Sequence, residues 1–242
     1  MLLFLLGCAP YIVAWPPPSA LPGGQTEIGP HELELGFGGN AVIGLATEES
    51  TLPSFFPNYF SGPFIGQGRL GFDGGWDLTM GSSRHLLGPT TDVAVGRWFT
   101  LGPTLSVGPQ IGVGGSYSEA SYSTLEKVDA SGNVVTPSVD VPYSYLSVAP
   151  IIAGRLDWHP SRIVSVPLLL RGSYSMVIPL QNAADRQMFW LDLMPVLRFN
   201  VTRGFGVGLG PGAHLVFEAG QVPYAIFDAQ LSIHGRFLTK RR

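Results

Sequence analysis

The amino-acid sequence predicts an all-β fold, an antiparallel up-and-down transmembrane β-barrel of about ten strands, with roughly eight to twelve as the range. Three observations support this prediction. Apolar residues recur at every second position along most of the chain, which is the periodicity of a β-strand with one apolar face. Several alternating stretches extend over about a dozen residues, against roughly five or six in a usual strand. Short and long connections alternate between them, as in a sheet that crosses a membrane repeatedly.

The composition is hydrophobic, yet it contains no hydrophobic helix. Charged residues make up 13% of the 242 residues, about half the share usual in a soluble domain, and the mean hydropathy is +0.24. No stretch of about 18 consecutive apolar residues occurs, which excludes a typical transmembrane helix. The net charge of −3 provides no basic surface for nucleic acid. Apolar residues distributed over alternating strands explain this profile.

The clearest alternation lies in the stretch Phe189–Phe217. Its odd positions from Phe189 to Val201 are apolar, and its even positions are mixed. After a break at residues 202–203, the odd positions are apolar again, while most even positions are glycine. This pattern predicts two long strands joined by a tight turn, each with a single apolar face.

The N-terminal half contains five predicted strands. In the first, apolar residues alternate from Leu33 to Leu45, with a bulge expected at residues 38–39. The second ends at a tight turn, and the third is short. The fourth is irregular because Val93 shares a face with Arg97, which requires a register break or an arginine at the membrane interface. The five strands cover residues 31–45, 64–72, 76–80, 91–99 and 105–114.

The C-terminal half contains the other five strands, which cover residues 145–158, 164–178, 189–201, 205–218 and 223–238. Connections after strands two, four, six and eight are predicted to be short, and those after one, three, five and seven to have roughly 8 to 25 residues. The connections after strands three and five cover residues 81–90 and 118–142. An even strand count places both termini on the side of the short turns, which is the periplasmic side in barrels of this type.

Large aromatic residues concentrate at the strand ends beside the short turns. Such rings prefer the headgroup zone of a bilayer, and a soluble sandwich has no reason to collect them at one end. We therefore predict a periplasmic aromatic girdle formed by Phe72, Trp76, Trp98, Phe99, Trp158, Phe199, Phe205 and Phe237.

Charged residues at the predicted inward positions gather toward the same end of the barrel. The interior of a ten-stranded barrel is little wider than its side chains can fill, and burial of an unpaired charge is costly. We therefore predict a nearly neutral, paired network in the lumen, formed by Glu32, Glu34, Arg69, Asp77, Arg155, Asp157, Arg198 and Arg236. The network is either a structural plug, the lining of a narrow conduit, or a binding or catalytic site.

The N-terminal residues predict an export signal and a linker. Residues 1–8 end in the single cysteine, Cys8, which excludes an intramolecular disulfide and a cysteine-based metal site. They resemble the end of a bacterial lipoprotein signal, which implies lipidation of Cys8. Because they lack a positive region and are short, a secretory signal that continues through residues 11–15 and a chance cysteine remain alternatives. Residues 9–30 predict a Pro/Gly-rich linker, residues 31–238 the barrel domain, and residues 239–242 a basic tail.

The C-terminal strand resembles the terminal strand of bacterial outer-membrane proteins, since it alternates and reaches Phe237 near its end. The family commonly ends on this aromatic residue, whereas here residues 238–242 follow it. The resemblance covers residues 32–237 as a pattern. It implies a location in the outer membrane of a Gram-negative bacterium, with the lipid bilayer and the barrel-insertion machinery as partners. No cofactor is implied.

Three features resemble parts of enzymes, but none completes a catalytic constellation. Residues 159–161 (His-Pro-Ser) loosely resemble the His-x-Ser motif of lipid A 3-O-deacylases, yet they lie in a predicted periplasmic turn, whereas lipid A occupies the outer leaflet. The omptin proteases have ten strands and an Asp-His dyad near the outer loops; here Glu218 and Asp228 lie near that rim and His214 lies deeper, without a matching motif. The glycines of residues 204–212 lack the helix that a phosphate loop needs, and no metal-ligand spacing is present.

The sequence thus predicts a non-enzymatic outer-membrane barrel with a charge-paired lumen and a structural, surface-adhesive or narrow, porin-like pore role. An outer-membrane enzyme that modifies lipid A or cleaves peptides is one alternative. A soluble all-β binding protein is the other, and it would bury its apolar faces against a second sheet. No pattern in the sequence specifies an oligomeric state.

Overall fold

The computed structural model describes residues 26–46, 64–85, 88–123, 127–128, 134–136, 140–181, 186–202, 204–218 and 223–239. The signal segment with Cys8, most of the linker and residues 240–242 lie outside this part of the chain. The described chain forms a closed antiparallel barrel of ten strands, as the sequence predicts. They are β1 (Glu32–Ala46), β2 (Phe64–Gly71), β3 (Trp76–His85), β4 (Gly88–Arg97 and Phe99–Gly102), β5 (Leu105–Ser123), β6 (Asp140–Trp158), β7 (Val164–Gln181), β8 (Arg186–Pro195 and Leu197–Thr202), β9 (Phe205–Glu218) and β10 (Tyr224–Leu238).

Strands β4 and β8 each contain one interruption, at Trp98 and Val196 respectively. The register with the neighbouring strand is the same on both sides of each interruption. Inward and outward positions therefore keep their alternation through both residues, and each pair of segments is one strand.

The barrel closes because β1 pairs with both β2 and β10. Paired residues can be followed from each strand to the next around the barrel. Starting from Leu33 in β1, this path passes through all ten strands and returns to β1 at Ala46. Such a stagger requires strands that tilt by about 35–45° from the barrel axis. The register of β1 shifts between Val42 and Gly44, so the bulge lies further along the strand than the predicted position at residues 38–39.

Both chain termini of the barrel lie at one end, which we call the terminal end. There Glu32 pairs with Leu238, and the connections are short, at residues 72–75, 103–104, 159–163 and 203–204. The opposite end, which we call the distal end, carries the connections at residues 47–63, 86–87, 124–139, 182–185 and 219–223. An even strand count produces this arrangement, as the sequence predicts.

Three predicted connections are wrong in their extent. The connection after strand seven was expected between residues 178 and 189, but β7 extends to Gln181 and β8 begins at Arg186. Residues 81–90 were expected to form a loop, but β3 and β4 pair as far as His85 opposite Gly88. Strands β5 and β6 likewise pair as far as Ser123 opposite Asp140, well inside the loop expected at residues 118–142. A two-stranded ribbon, Lys127–Val128 with Val134–Thr136, lies in the connection between them. The residues of these strand extensions are mostly polar. The sequence therefore shows no alternation of apolar residues from which their pairing could be predicted.

The two faces of the wall differ in chemistry. Large apolar side chains face outward and are exposed, for example Ile152 at 71% and Ile111 at 67%, whereas the alternate positions point into the lumen and are buried. The inside holds the polar and charged residues together with Trp190, Tyr145 and Met194. Among the described residues, no helix is long and apolar enough to cross a membrane.

Glycine at inward positions makes room for neighbouring groups across the wall. A Cβ atom on Gly210 would lie 2.1 Å from the carbonyl oxygen of Pro195, at the interruption of β8. By contrast, a Cβ atom on Gly154, an exposed position of β6, would have no neighbour within 4 Å. Substitution of alanine for each of these two glycines therefore distinguishes the effect of close backbone approach from the effect of the low strand propensity of glycine.

We expect Gly210→Ala to lower the free energy of unfolding by about 1–3 kcal/mol, because the added methyl group forces the backbone of β8 to move. The control Gly154→Ala should be neutral or slightly stabilising, since glycine is unfavourable within a strand. Urea denaturation in detergent micelles, followed by tryptophan fluorescence, measures both changes. Equal effects of the two substitutions would contradict the close approach at Gly210.

Candidate functional site

The lumen near the terminal end contains a buried network of four arginines and two carboxylates. We call it the arginine network and define it as Glu34, Arg69, Asp77, Arg155, Arg198 and Arg236. The sequence predicts all six at inward positions, and all six face the lumen. Five of them are at most 2% exposed, and Arg236 is partly exposed at the rim.

Glu34 accepts hydrogen bonds from three arginines. Both terminal nitrogens of Arg198 donate to its Oε2 atom at 3.1 Å, and Nε of Arg236 donates to the same atom at 2.6 Å. Nη1 of Arg69 donates to Oε1 at 3.3 Å. These arginines come from β8, β10 and β2, so a single carboxylate of β1 joins four strands.

Asp77 forms the second centre of the network. Nη2 of Arg69 donates to its Oδ2 atom at 2.7 Å, and Arg155 donates to both of its oxygens at 2.6 and 3.0 Å. The indole Nε1 of Trp98 also donates to Oδ2 at 3.2 Å. The guanidinium of Arg155 lies 4.4 Å from the centre of the Trp98 ring, a cation–π contact. The network therefore reaches from one wall of the barrel to the other.

Small residues opposite the arginines make this packing possible. A Cβ atom on Gly96 would lie 2.1 Å from Nη2 of Arg155, and one on Gly206 would lie 2.8 Å from Nε of Arg198. This agrees with the expectation that the alternating glycines of β9 allow neighbouring side chains to fill the lumen.

The remaining predicted lumen residues, Glu32 and Asp157, lie at the rim beside the arginine network. Oε2 of Glu32 lies 3.9 Å from Arg236 and accepts a hydrogen bond from the backbone of Gly29. Oδ2 of Asp157 accepts a hydrogen bond at 3.0 Å from the backbone of Glu27. Both carboxylates thus bind residues that precede the first strand.

Residues 26–30, which we call the N-terminal segment, enter the terminal end of the lumen. Thr26 and Ile28 are 5% and 2% exposed, which differs from the linker predicted for residues 9–30. Ser106 and Thr100 donate hydrogen bonds to the carboxylate of Glu27. The sequence does not reveal this packing, because Pro- and Gly-rich composition reports only that the chain forms no regular element.

The chain reverses at His31, whose φ angle of 62° lies in the left-handed region that few non-glycine residues adopt. Its backbone NH donates to the carbonyl of Gly71 at 2.9 Å. A Cβ atom on Gly71 would lie 2.1 Å from the carbonyl oxygen of Gly29, so only glycine admits the N-terminal segment at this distance.

A second polar group lies deeper in the lumen, and we call it the histidine cluster (Arg171, Asp192, His214 and Asp228). Asp192 accepts a hydrogen bond from Nε of Arg171 at 2.7 Å, and its other oxygen lies 2.8 Å from Nδ1 of His214. Nε2 of His214 lies 3.3 Å from Oδ2 of Asp228. Only a doubly protonated imidazole donates to both carboxylates.

Sequence reasoning found only part of the histidine cluster. Asp228 was expected near the outer rim with His214 deeper, but Asp228 pairs with Gly212 and His214 with Ile226, so Asp228 lies two positions further from the distal end. Arg171 and Asp192 were not singled out, although they occupy inward positions and pair directly across β7 and β8. Opposite charges at inward positions of consecutive strands are the signal that identifies such a pair.

Between and beyond the charged groups, the lumen contains buried neutral polar side chains together with several large apolar ones. Ala153, Leu169 and Met194 form a buried cluster. Toward the distal end, Trp190, Tyr145 and Met188 are at most 2% exposed. The described interior is therefore packed at three levels, from the arginine network through the middle of the barrel to the distal end.

Seven of the eight residues predicted for the aromatic girdle face outward near the terminal end and are 42–56% exposed, namely Phe72, Trp76, Phe99, Trp158, Phe199, Phe205 and Phe237. The prediction for Trp98 is wrong, because this residue is 4% exposed and points into the lumen. Adjacent residues of a strand face opposite sides, so Trp98 and Phe99 cannot share the outer face.

The irregularity predicted in strand four has a simple resolution. Arg97 faces outward with Val93 and Val95, and its guanidinium lies 5.5 and 5.1 Å from the ring centres of Trp76 and Phe99. No register break occurs at this position. This placement agrees with the other explanation given by the sequence analysis, in which Arg97 lies at the membrane interface.

The His-Pro-Ser turn adopts a structural role in the described geometry. The hydroxyl oxygen of Ser161 accepts hydrogen bonds from the backbone NH groups of Ile163 and Val164 at 3.3 and 3.0 Å. Nδ1 of His159 lies 3.7 Å from Asp157. His159 and Ser161 line an open cavity of about 760 Å³ at the terminal end, together with Thr26, Arg198 and Arg236.

Among the described residues, no group of histidine, cysteine and acidic side chains is arranged to hold a metal ion.

Comparison with solved structures relates this fold to outer-membrane barrels. The outer membrane protease OmpT from Escherichia coli is similar over 85% of this chain and 95% of its own, with a TM-score of 0.51 and 8% identity. The KdgM porin covers 84% and 99%, with a TM-score of 0.36 and 8% identity. The attachment invasion locus protein Ail of Yersinia pestis covers 85% and 97%, with a TM-score of 0.37 and 13% identity.

No known family profile and no curated protein sequence matches the chain. At these identities the structural similarity concerns the fold alone. The protein has the fold of bacterial outer-membrane β-barrels.

We expect Asp77→Ala to lower the free energy of unfolding by about 3–5 kcal/mol, because it leaves Arg69 and Arg155 buried without this carboxylate. Asp73→Ala is the matched control, since this aspartate is exposed and lies 3.8 Å from His31; exposed pairs contribute little. Urea denaturation in detergent micelles measures both variants. Equal stability of the two would show that the network does not hold the terminal end together.

Proposed function

We propose that the protein is an outer-membrane β-barrel of a Gram-negative bacterium with a filled, non-conducting lumen and a structural or surface-adhesive role. The observation that supports this most directly is the packing of the lumen at three levels. Pairing of the buried arginines with carboxylates stabilises a solid interior, whereas an open conduit would keep its charged side chains in contact with water.

The outer surface supports the bilayer as the main partner. Its apolar side chains are exposed around the wall, and their extent exceeds what a monomeric soluble protein usually leaves in water. The ring of seven aromatic residues near the terminal end fits the headgroup zone. A soluble all-β binding protein would instead cover these faces with a second layer.

The positions of the two longest connections, both at the distal end, support an orientation. In barrels of this class the short turns face the periplasm, so we infer that the terminal end, both termini and the aromatic girdle lie on that side. The barrel-insertion machinery would then meet β10, which ends in Phe237, and a lipid on Cys8 would lie in the periplasmic leaflet. The longer connections, residues 47–63 and 124–139, would face the cell exterior, where an adhesive role has to reside.

We expect the wild-type protein to show no steady conductance in planar lipid bilayers. The triple variant Trp190→Ala, Met194→Ala and Arg198→Ala should conduct, because it removes three inward side chains of β8 at the three filled levels. The matched control truncates outward positions of the same strand, Leu193→Ala, Leu197→Ala and Phe199→Ala, and should stay closed.

Slower gel migration after boiling verifies that each variant forms a barrel before single-channel recording. Steady conductance of the folded wild-type protein would contradict the filled lumen and favour a narrow pore. Absence of heat-modifiable migration, together with solubility without detergent, would contradict the membrane barrel itself.

The lipid-facing surface gives a separate test. We expect Ile152→Arg to lower the free energy of unfolding in phospholipid vesicles by about 2–4 kcal/mol, because this position lies near the bilayer midplane. Trp158→Arg, in the aromatic girdle of the same strand, should cost only about 0–1 kcal/mol. Equal costs at the two positions would indicate that the outer wall of β6 faces water.

A further inference from the structure

Three guanidinium groups converge on the two oxygens of one neutral residue, Thr26. Nη1 of Arg69 donates to its carbonyl oxygen at 2.9 Å. Nη1 of Arg198 donates to its hydroxyl oxygen at 3.2 Å, and Nη2 of Arg236 donates to the same hydroxyl oxygen. Thr26 is 5% exposed, so these contacts lie inside the opening of the lumen at the terminal end, which we call the mouth.

This arrangement of donors suits an anion better than a threonine. Arginine nitrogens form their strongest hydrogen bonds with charged oxygens, and arginine is the preferred residue for phosphate. Arg69, Arg198 and Arg236 share one buried carboxylate, Glu34. Arg69 also reaches Asp77, and Arg236 lies 3.9 Å from Glu32 at the rim. They approach Thr26 from three different strands, as required for a tetrahedral group with several oxygens.

The N-terminal segment is held in the mouth by hydrogen bonds with side chains of the barrel wall and forms no strand pairing of its own. Besides Thr26, it relies on Glu27, whose backbone binds Asp157 and whose carboxylate accepts from Ser106 and Thr100. It joins β1 through the left-handed residue His31, and such positions often mark segments that switch between states. Withdrawal of the segment removes the negative charge of Glu27 from the mouth, and a bound oxyanion replaces that charge.

A path to this position exists at the terminal end. The open cavity of about 760 Å³ is lined by Thr26, Arg198 and Arg236 and reaches the surface of the short connections. Glu32 and Asp157 also line it. A small oxyanion could contact the three guanidinium groups without spanning these two carboxylates, whereas an extended polyanion could not.

We propose that Arg69, Arg198 and Arg236 form a binding site for a phosphate-type oxyanion, and that Thr26 occupies this site until the ligand displaces the N-terminal segment. The ligand is either inorganic phosphate or the phosphate of a lipid headgroup. The site rests on the proposed function, since it assumes that the N-terminal segment closes the terminal end of a folded barrel.

The test measures the exposure of residue 28, which is 2% exposed in this structure. The full-length protein with Cys8→Ser and Ile28→Cys is folded in detergent micelles and treated with a maleimide reagent. Inorganic phosphate should accelerate labelling at least about fivefold, the lower end of common coupling between sites. Sodium chloride of equal ionic strength should not.

Two substitutions identify the arginines as the site. Arg236→Gln removes the guanidinium at the partly exposed rim, and it should abolish the phosphate effect in protein whose migration is still heat-modifiable. Arg162→Gln, in the same cavity but without a described contact to Thr26, should leave the phosphate effect intact. Gly71→Ala should accelerate labelling without phosphate, because its methyl group collides with the carbonyl of Gly29.

A second arm replaces inorganic phosphate with micelles that contain phosphatidylglycerol. Acceleration by inorganic phosphate identifies a soluble ligand, and acceleration by the doped micelles alone identifies a lipid headgroup. No acceleration in either arm, in protein whose migration is heat-modifiable, overturns the proposed site while the barrel stands. Loss of heat-modifiable migration in the wild-type protein would instead overturn the folded barrel that the site requires.

Discussion

The structure depends on the pairing of buried charges across a narrow lumen. Closing ten strands leaves an interior that side chains fill, and a charge pointing into it must meet an opposite charge or a hydrogen-bond partner. Glu34 and Asp77 meet this requirement for four arginines from four different strands. The pairing therefore acts as a set of cross-links that hold opposite walls of the barrel together.

The outer wall follows from the same alternation. Each inward polar residue is flanked by outward neighbours, so a polar lumen and an apolar outer surface are two consequences of one period-two pattern. The pattern decides the direction of individual residues: Trp98 points inward and contacts the arginine network because Arg97 and Phe99 occupy the outer face. A membrane protein of this kind is thus inverted relative to a soluble one, with its polar groups in the core.

The arginine network also connects the barrel to the chain that precedes it. Arg69, Arg198 and Arg236 bind both Glu34 of the wall and Thr26 of the N-terminal segment. The same side chains therefore stabilise the wall and close its mouth. The stability of the terminal end is therefore linked to the position of the N-terminal segment, because the arginines that bind Thr26 also bind Glu34.

The sequence by itself determined the all-β class, the ten strands, the inward or outward direction of most side chains and six members of the arginine network, because alternation is local and survives in every strand. It did not determine the strand extensions at residues 81–90 and 118–142, which carry no apolar face. Only the tertiary structure decided which inward charges meet, such as Arg171 with Asp192, and that residues 26–30 fill the mouth. Those contacts depend on stagger and closure, which join residues far apart in the chain and leave no local pattern.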